Sequence, residues 1–309
     1  MKTHIWFLAL IILQLNSKAQ NKNGFDISNS ILPKSEIKGG GPPKDGIPSI
    51  NLPKFLNTQE SPLSPQDRVL GVYLNGIAKA YPIKILNYHE IVNDYFNEKP
   101  VVITYCPLCG SGLAFDAKIK NKPATFGVSG LLYNSDVLLY DRETESLWSQ
   151  LLYRAVSGPM VGASLQIIPI EMTTWKDWKE SYPNTLVLSE ETGFYRNYNQ
   201  NPYPGYDTSS QLYFSVNHTD DRFQAKETII GIEIGHTFKA YPFSELEKVG
   251  DSILMDTLQG KTLKIKYSST SKSAVILDLQ DNILPSVTSF WFAWMAFHPD
   301  SEVYFLKQK

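Results

Sequence analysis

The sequence contains only two cysteines, Cys106 and Cys109, among 309 residues. This scarcity excludes a small fold held together by several disulfides. It also excludes a zinc site closed by four thiolates of one chain, because such a site needs four cysteines. Any thiol chemistry of this protein therefore belongs to the segment Cys106-Pro107-Leu108-Cys109.

An excess of charge of either sign is also absent, since 29 basic and 31 acidic residues leave a formal net charge of −2. We therefore expect neither nucleic acid nor an anionic membrane surface as the main partner. The sequence does not identify a partner, and the candidates are an exported protein or a small-molecule substrate.

The sequence also lacks a hydrophobic run long enough to cross a bilayer, since a crossing takes about 20 apolar residues. The apolar run Ile5 to Leu15 follows Lys2, and Ser17 and Ala19 suit a cleavage site. This pattern predicts a signal peptide at residues 1–19. We expect a periplasmic or secreted protein with no integral membrane association after cleavage, and a retained N-terminal anchor is the alternative.

Aromatic residues are abundant at 12% of the chain, which is typical of β-rich cores. Residues 20–67 are rich in proline and glycine, as in Gly39-Gly40-Gly41-Pro42-Pro43. They predict an extended arm without regular elements, either a tether or a strap across the domain.

Three segments recur in the same order, which predicts a duplicated unit. The matches are 71–82 with 231–242, 101–116 with 263–278, and 175–183 with 291–299. We therefore predict an α+β fold, predominantly antiparallel β, with two tandem copies of one unit. The predicted parts are a first copy at 68–188 with an insert at 117–172, a connector at 189–227 and a second, cysteine-less copy at 228–306.

The cysteine pair has two structural interpretations. In a thioredoxin-like site, a CxxC motif stands at the start of a helix whose dipole stabilises the thiolate. Here Gly110-Ser111-Gly112 and the apolar Leu113 to Phe115 follow, which predicts a returning strand. The pair is then the tip of a β-hairpin, a knuckle that suits half of a metal site.

A metal site would need a third ligand, and His89 is the candidate because it lies shortly before the cysteines. It has no counterpart in the second copy, where Ser268 and Ser271 replace the two cysteines. We predict that Cys106, Cys109 and His89 form one site. The alternative for His89 is a buried histidine bonded to a backbone carbonyl.

A second polar group, Asp136, Asp141, Arg142 and Glu143, surrounds Tyr140. These side chains could line a polar pocket, but such residues between two strands are more typical of a solvated turn. We therefore assign no chemical role to them from the sequence.

Several specific motifs are spread along the chain: His89 to Asp94, Tyr105 to Gly112, Phe126 to Gly130, Tyr140 to Arg142, Ser146 to Gln150 and Thr173 to Trp175. By these motifs the chain resembles the DUF3179 family. The resemblance runs from about Gly41 to Phe305. It implies an exported bacterial or archaeal protein, and it implies no substrate and no defined cofactor.

We predict thiol/disulfide redox activity, with Cys106 as the attacking thiolate and Cys109 resolving the mixed disulfide. His89 would then lower a thiol pKa or orient the thiol. In the alternative, Cys106, Cys109 and His89 bind a soft metal, copper or zinc, with copper as the candidate cofactor. A third interpretation is a non-catalytic interaction domain with a structural disulfide, which would stabilise little because the closed loop is short.

Overall fold

The protein is mainly β, with about 40% of its residues in strands and 11% in helices. The computed structural model describes residues 20–306, so the predicted signal peptide at residues 1–19 lies outside the described part. The four α-helices found within residues 20–306 have seven residues each and cannot form a layer of their own. The predicted α+β class is therefore wrong. Within the same residues, no helix has the length and apolar character that crossing a membrane requires.

The N-terminal arm lies against the rest of the molecule, and we call residues 20–67 the strap. It contributes small elements rather than a continuous strand because its prolines and glycines interrupt regular hydrogen bonding. Its elements are β1 (Asn21–Lys22), β2 (Phe25–Asp26), β3 (Lys38–Gly39), β4 (Phe55–Asn57) and a 3₁₀-helix (Thr58–Glu60).

The middle of the chain supplies most of the strands. Its first two strands are joined at Asn75 and Gly76, which both have positive φ, the geometry of a two-residue hairpin turn. The elements are β5 (Arg68–Leu74), β6 (Ile77–Pro82), α1 (Ile83–His89), β7 (Ile91–Phe96), β8 (Lys99–Cys106), β9 (Ser111–Asp116), β10 (Lys118–Ile119), β11 (Lys122–Pro123), β12 (Phe126–Tyr133), β13 (Asp136–Asp141), β14 (Leu147–Ser149), β15 (Arg154–Ser157), β16 (Ile167–Ile168), β17 (Glu171–Thr174), α2 (Trp175–Ser181) and β18 (Leu186–Leu188).

The connector, residues 189–227, contains no assigned helix or strand. The remaining elements follow it. They are β19 (Thr228–Ile234), β20 (Thr237–Pro242), α3 (Phe243–Val249), β21 (Leu254–Leu258), β22 (Lys261–Ser268), β23 (Ser273–Leu277), β24 (Val287–Phe290), α4 (Trp291–Phe297) and β25 (Glu302–Val303).

Within residues 20–306 these strands build five larger sheets in a five-bladed β-propeller arrangement. Two pairs of short strands, β1-β2 and β10-β11, stand apart from them. The five sheets are sheet I (β17-β5-β6-β18-β4), sheet II (β16-β9-β8-β7), sheet III (β15-β14-β13-β12-β3), sheet IV (β24-β19-β20-β25) and sheet V (β21-β22-β23).

The prediction of two tandem units is wrong, because the recurring segments do not form two separate bodies. Sheets I and IV do have the same order for their four corresponding strands. Sheet III, however, is built from the strap and the predicted insert, and it completes the arrangement. The largest apolar core contains Cys109, Trp148 and Trp294, which come from the first repeat, the insert and the second repeat. One core common to all three parts makes them a single structural unit.

Candidate functional site

The two cysteines lie at the tip of a β-hairpin formed by β8 and β9, which confirms the knuckle predicted from the sequence. Cys106 is the last residue of β8 and pairs with Ser111, the first residue of β9. Gly110 in the turn has φ of +57°, a conformation that glycine adopts without strain. No helix begins at the pair, so neither thiol benefits from a helix dipole. We call Lys99–Asp116 the cysteine hairpin.

Both cysteines are free thiols and both are buried, with exposed fractions of 2% for Cys106 and 0% for Cys109. Burial raises the pKa of each thiol because the low-polarity interior disfavours a thiolate. Nearby carboxyl groups act in the same direction, among them that of Asp136. The thiols are thus held protonated by their surroundings.

Asp136 completes a cluster with the two cysteines. A carboxylate oxygen of Asp136 and the two sulfurs all lie within 4.8 Å of one another. Asn134 and Ser135, both with positive φ, form the turn that places Asp136 at the start of β13. Sulfur and carboxylate oxygen are both metal ligands, so these three residues have the composition of a metal site.

The two carboxylate oxygens of Asp136 differ in their partners. The backbone N–H of Leu151 donates to Oδ2 at 3.1 Å. Oδ1 is buried and makes no hydrogen bond of normal geometry to a described residue, and the thiols of Cys106 and Cys109 interact with this carboxyl group as weak donors. Burial raises the pKa of Asp136 to about 7. An unpartnered buried oxygen is costly, and a bound cation would offset that cost.

Glu90 is a second buried carboxyl group near the cluster. It follows α1 with φ of +56°, and its carbonyl oxygen accepts a hydrogen bond from Tyr105, the residue before Cys106. Burial, and next the charge of Asp136, raise the pKa of Glu90 to about 8. Neither Glu90 nor Asp136 forms an ion pair with any residue from 20 to 306. Two acids and two thiols therefore share a buried region without a counterion.

The structure does not bring His89 into this cluster, and Asp136 stands where the sequence predicted the histidine. The Nδ1 of His89 lies 2.7 Å from the carbonyl oxygen of Pro48, which can only accept, so Nδ1 carries the proton. Nε2 then accepts from the Tyr198 hydroxyl at 2.6 Å. His89 therefore links the strap to the connector, as the alternative of a histidine bonded to a carbonyl foresaw. Burial lowers the pKa of its imidazole.

Asp136 was predicted from the sequence to lie in a solvated turn and was therefore not among the expected site residues. In the structure Asp136 and Asp141, at the two ends of β13, are both fully buried. The signal was available in the segment Asp136 to Tyr140, where an acid directly precedes the apolar run Val-Leu-Leu-Tyr. An acid at the head of a buried strand seldom lacks a partner or a function.

A cavity of about 570 Å³ lies in front of the cysteine hairpin. Tyr105, Pro107 and Gly110 form its hairpin wall, so the cysteines lie just behind that wall. Residues of the connector and of the loop between β22 and β23 form other parts of the lining. The site therefore combines a buried cluster with an adjacent opening of ligand size.

Tyr206 of the connector lines this cavity and is 3% exposed. Its hydroxyl is buried without a hydrogen-bond partner in the described part of the chain. The Nζ of Lys226 lies 3.5 Å from the centre of its ring and donates to the carbonyls of Ser209 and Gln211. These contacts all lie within the connector and stabilise its conformation beside the cavity.

The matching hairpin of the second repeat, β22 and β23, carries no sulfur. Its turn is held by hydroxyl contacts instead. The N–H of Ser271 donates to the hydroxyl of Ser268 at 3.3 Å, and the hydroxyls of Ser271 and Ser273 lie 2.7 Å apart. Among the described residues, the Cys-Cys-Asp group is therefore a feature of the first repeat alone.

The fold and the cluster describe a β-propeller protein with a buried site of two thiols and a carboxyl. The chain belongs to the family described as "Protein of unknown function (DUF3179)", whose model matches residues 44–301. Comparisons with curated proteins and with solved structures gave no match.

Proposed function

We propose that the protein binds one metal ion through Cys106, Cys109 and Asp136. The observation that carries this proposal is the Oδ1 atom of Asp136, which is buried without a partner in a group that includes both sulfurs. Buried polar atoms nearly always have a partner, and a cation would provide one here. The proposal accounts for the sulfurs and the oxygen together.

The charge balance of the region supports a cation. Cys106, Cys109 and Asp136 are all acids, and burial disfavours the charged form of each. A divalent cation would remove that penalty, because metal binding deprotonates thiols and stabilises the resulting negative charge. Binding would therefore release protons.

The ligand set favours zinc over copper. Zn²⁺ accepts thiolate sulfur at about 2.3 Å and carboxylate oxygen at about 2.0–2.2 Å. Cu(I) prefers soft sulfur ligands, and a carboxylate is a hard one. Three protein ligands also leave a fourth position, which is the pattern of zinc sites that bind a further group rather than of closed structural sites.

A thiol/disulfide redox pair is the second candidate function, and one observation favours it. The carboxyl of Asp136 has its pKa raised to about 7 and adjoins both thiols, so it can accept a thiol proton near neutral pH. Cys106 would then attack a substrate disulfide and Cys109 would release the reduced product. The burial of both sulfurs weakens this candidate because attack requires access.

A zinc competition titration of the purified protein tests the proposal. We expect one Zn²⁺ per chain, and Asp136→Asn should weaken the affinity by at least about tenfold because a ligand is lost. Asp116→Asn is the matched control. Asp116 is the last residue of β9, at the end of that strand away from the cysteines. Its Oδ1 is also buried without a partner, but its Oδ2 lies 3.4 Å from the Nζ of Lys99.

The same series separates the two candidates. Co²⁺ in place of zinc should give thiolate-to-metal absorption in the wild type and in Asp116→Asn, and a changed spectrum in Asp136→Asn. Zinc binding that survives the Cys106→Ser/Cys109→Ser double variant would contradict the metal proposal. If zinc is not bound, and the wild type reduces a test disulfide faster than Asp136→Asn, the result supports the thiol/disulfide redox function instead.

We further propose a periplasmic or secreted location for this site. The support is the sequence of residues 1–19, with its basic start, apolar run and small residues at the cleavage position. Fractionation of expressing cells, with mass spectrometry of the mature N-terminus, tests it. An intact N-terminus in the cytosolic fraction would contradict the proposal.

A further inference from the structure

The cavity in front of the cysteine hairpin has the size of a small-molecule site. Its volume of about 570 Å³ lies within the range of roughly 300–1,000 Å³ that is usual for such sites. It lies between corresponding parts of the two repeats, with Ile83 of α1 and Phe243 of α3 both in its lining. Sites of this kind often occur where structural parts meet.

Arg68 contributes an unpaired positive charge to the cavity. Its guanidinium donates to backbone carbonyls only, those of Ser271, Met172 at 3.1 Å and Lys272 at 3.3 Å. Among residues 20–306 it has no carboxylate partner. The charge of Asp177 acts on Arg68 only without an ion-pair contact. A partly buried charge without an ion-pair partner is costly, and an anion in the cavity would offset that cost.

Tyr105 contributes an unused donor to the same cavity. The residue is 8% exposed, and its hydroxyl makes no hydrogen bond to another described residue. This hydroxyl is not among the buried polar atoms that lack a partner, so it faces the open space of the cavity and can donate there. Tyr105 directly precedes Cys106, so a molecule bound to its hydroxyl would lie beside the cysteine hairpin.

The second repeat shows what an equivalent tyrosine binds. Tyr267 is the seventh residue of β22, and Tyr105 is the seventh residue of β8. Its hydroxyl donates to the carboxylate of Glu247 at 2.7 Å, and Lys272 forms an ion pair with the same carboxylate. Glu247 is the fifth residue of α3.

In the first repeat this carboxylate is missing. The fifth residue of α1 is Asn87, which lines the cavity and carries no charge. The lining contains one acid, Asp207, which is exposed, acts on Tyr105 through its charge and forms no ion pair with Arg68. Tyr105 and Arg68 thus have the donors and the charge for a carboxylate that the chain does not supply.

We propose that this cavity binds a small organic molecule through its carboxylate group. The bound carboxylate lies beside Tyr105 in the same way that the carboxylate of Glu247 lies beside Tyr267 in the second repeat. Arg68 provides the counter-charge, and the Tyr105 hydroxyl donates a hydrogen bond. Phe243 and Phe290 in the lining contact the apolar part of the molecule. The site does not depend on a metal at Cys106, Cys109 and Asp136.

The substitution Asn87→Glu tests the proposal within the chain, with Asn87→Gln as the matched neutral control. A glutamate at this position supplies the missing carboxylate. We expect Asn87→Glu to have a Tm about 2–4 °C above that of Asn87→Gln, since the new ion pair and hydrogen bond stabilise the folded state. A Tm equal to or below that of Asn87→Gln would overturn the proposal.

Calorimetric titration with benzoate and its neutral analogue benzamide tests the same site from outside. The wild type should bind benzoate about tenfold more tightly than benzamide, because only benzoate forms charge-assisted hydrogen bonds. Asn87→Glu should lose this preference, and Tyr105→Phe should reduce it. A wild type that binds benzoate no better than benzamide would also overturn the proposal.

Discussion

The two described histidines that are most buried, His89 and His298, are held in opposite ways. His89 uses both ring nitrogens in hydrogen bonds, to Pro48 and to Tyr198. His298 stacks on Phe238 with ring centres 3.9 Å apart, and its Nε2 has no partner among the described residues. Burial lowers the pKa of His298 to about 3. His89 therefore joins the strap to the connector. His298 instead packs as an aromatic ring whose Nε2 can still be protonated.

His298 should make the protein less stable in acid. Its pKa of about 3 in the folded state lies below the ordinary value of 6.5, so between these values only the unfolded chain is protonated. The free energy of unfolding is therefore unaffected by this group above pH 6.5 and falls as the pH decreases below it. The slope is at most about 1.4 kcal/mol per pH unit, or about 2 kcal/mol from pH 6.5 to pH 5.

Urea unfolding at pH 7 and at pH 5 measures this effect. His298→Phe keeps the aromatic stack and cannot titrate, so its loss of stability between the two pH values should be smaller by about 2 kcal/mol. His236→Gln is the control, since the His236 side chain is 98% exposed. Equal pH dependence of the wild type and His298→Phe would contradict the prediction.

At the scale of elements, the same close contact holds a helix against a strand in sheets I and IV. Gly71 of β5 faces Trp178 of α2, and a Cβ at Gly71 would lie 2.3 Å from the indole ring. Gly231 of β19 faces Trp294 of α4, with a corresponding distance of 2.4 Å. Glycine is required at both positions because the tryptophan rings pack directly on the strand backbone.

We predict that Gly71→Ala and Gly231→Ala each lower the free energy of unfolding by about 1–3 kcal/mol through overpacking. Gly39→Ala in β3 is the control, because a Cβ there meets no atom within 4 Å and the backbone needs no positive φ. Denaturant unfolding gives the three values. Losses at Gly71 and Gly231 no larger than at Gly39 would show that the helices can move away without cost.

At the scale of the whole molecule, the strap joins parts that are distant in the chain. Its strand β3 pairs with β12 in sheet III, and β4 pairs with β18 in sheet I. Phe25 and Ile37 of the strap are buried in a core with Leu131 of sheet III. The strap is therefore part of the folded structure rather than a free tether.

Ile37→Ala should lower the free energy of unfolding by about 2–5 kcal/mol, since Ile37 is fully buried and truncation leaves a cavity. Ile31→Ala is the matched control from the same segment. Ile31 is 52% exposed, and its truncation should change stability by no more than about 0.5 kcal/mol. A strap that is only loosely attached would give similar small values for both variants in thermal or denaturant unfolding.

The sequence by itself determined the local elements, because their signals come from neighbouring residues. Asn75-Gly76 is a residue pair that two-residue hairpin turns prefer, and Leu74 and Ile77 on either side of it pair between β5 and β6. The glycines and the apolar run after Cys109 predicted the cysteine hairpin. Backbone hydrogen bonds between adjacent strands depend on such short-range patterns, so the sequence contains them directly.

Only the tertiary structure decided which residues meet at the cysteines. Asp136 reaches them because sheet III packs against the cysteine hairpin in one shared core, whereas His89 is bonded to the strap and the connector. The arrangement of five sheets likewise depends on where the insert and the strap pack. Burial and side-chain packing between distant segments decide these contacts, and they have no periodic signature in one sequence.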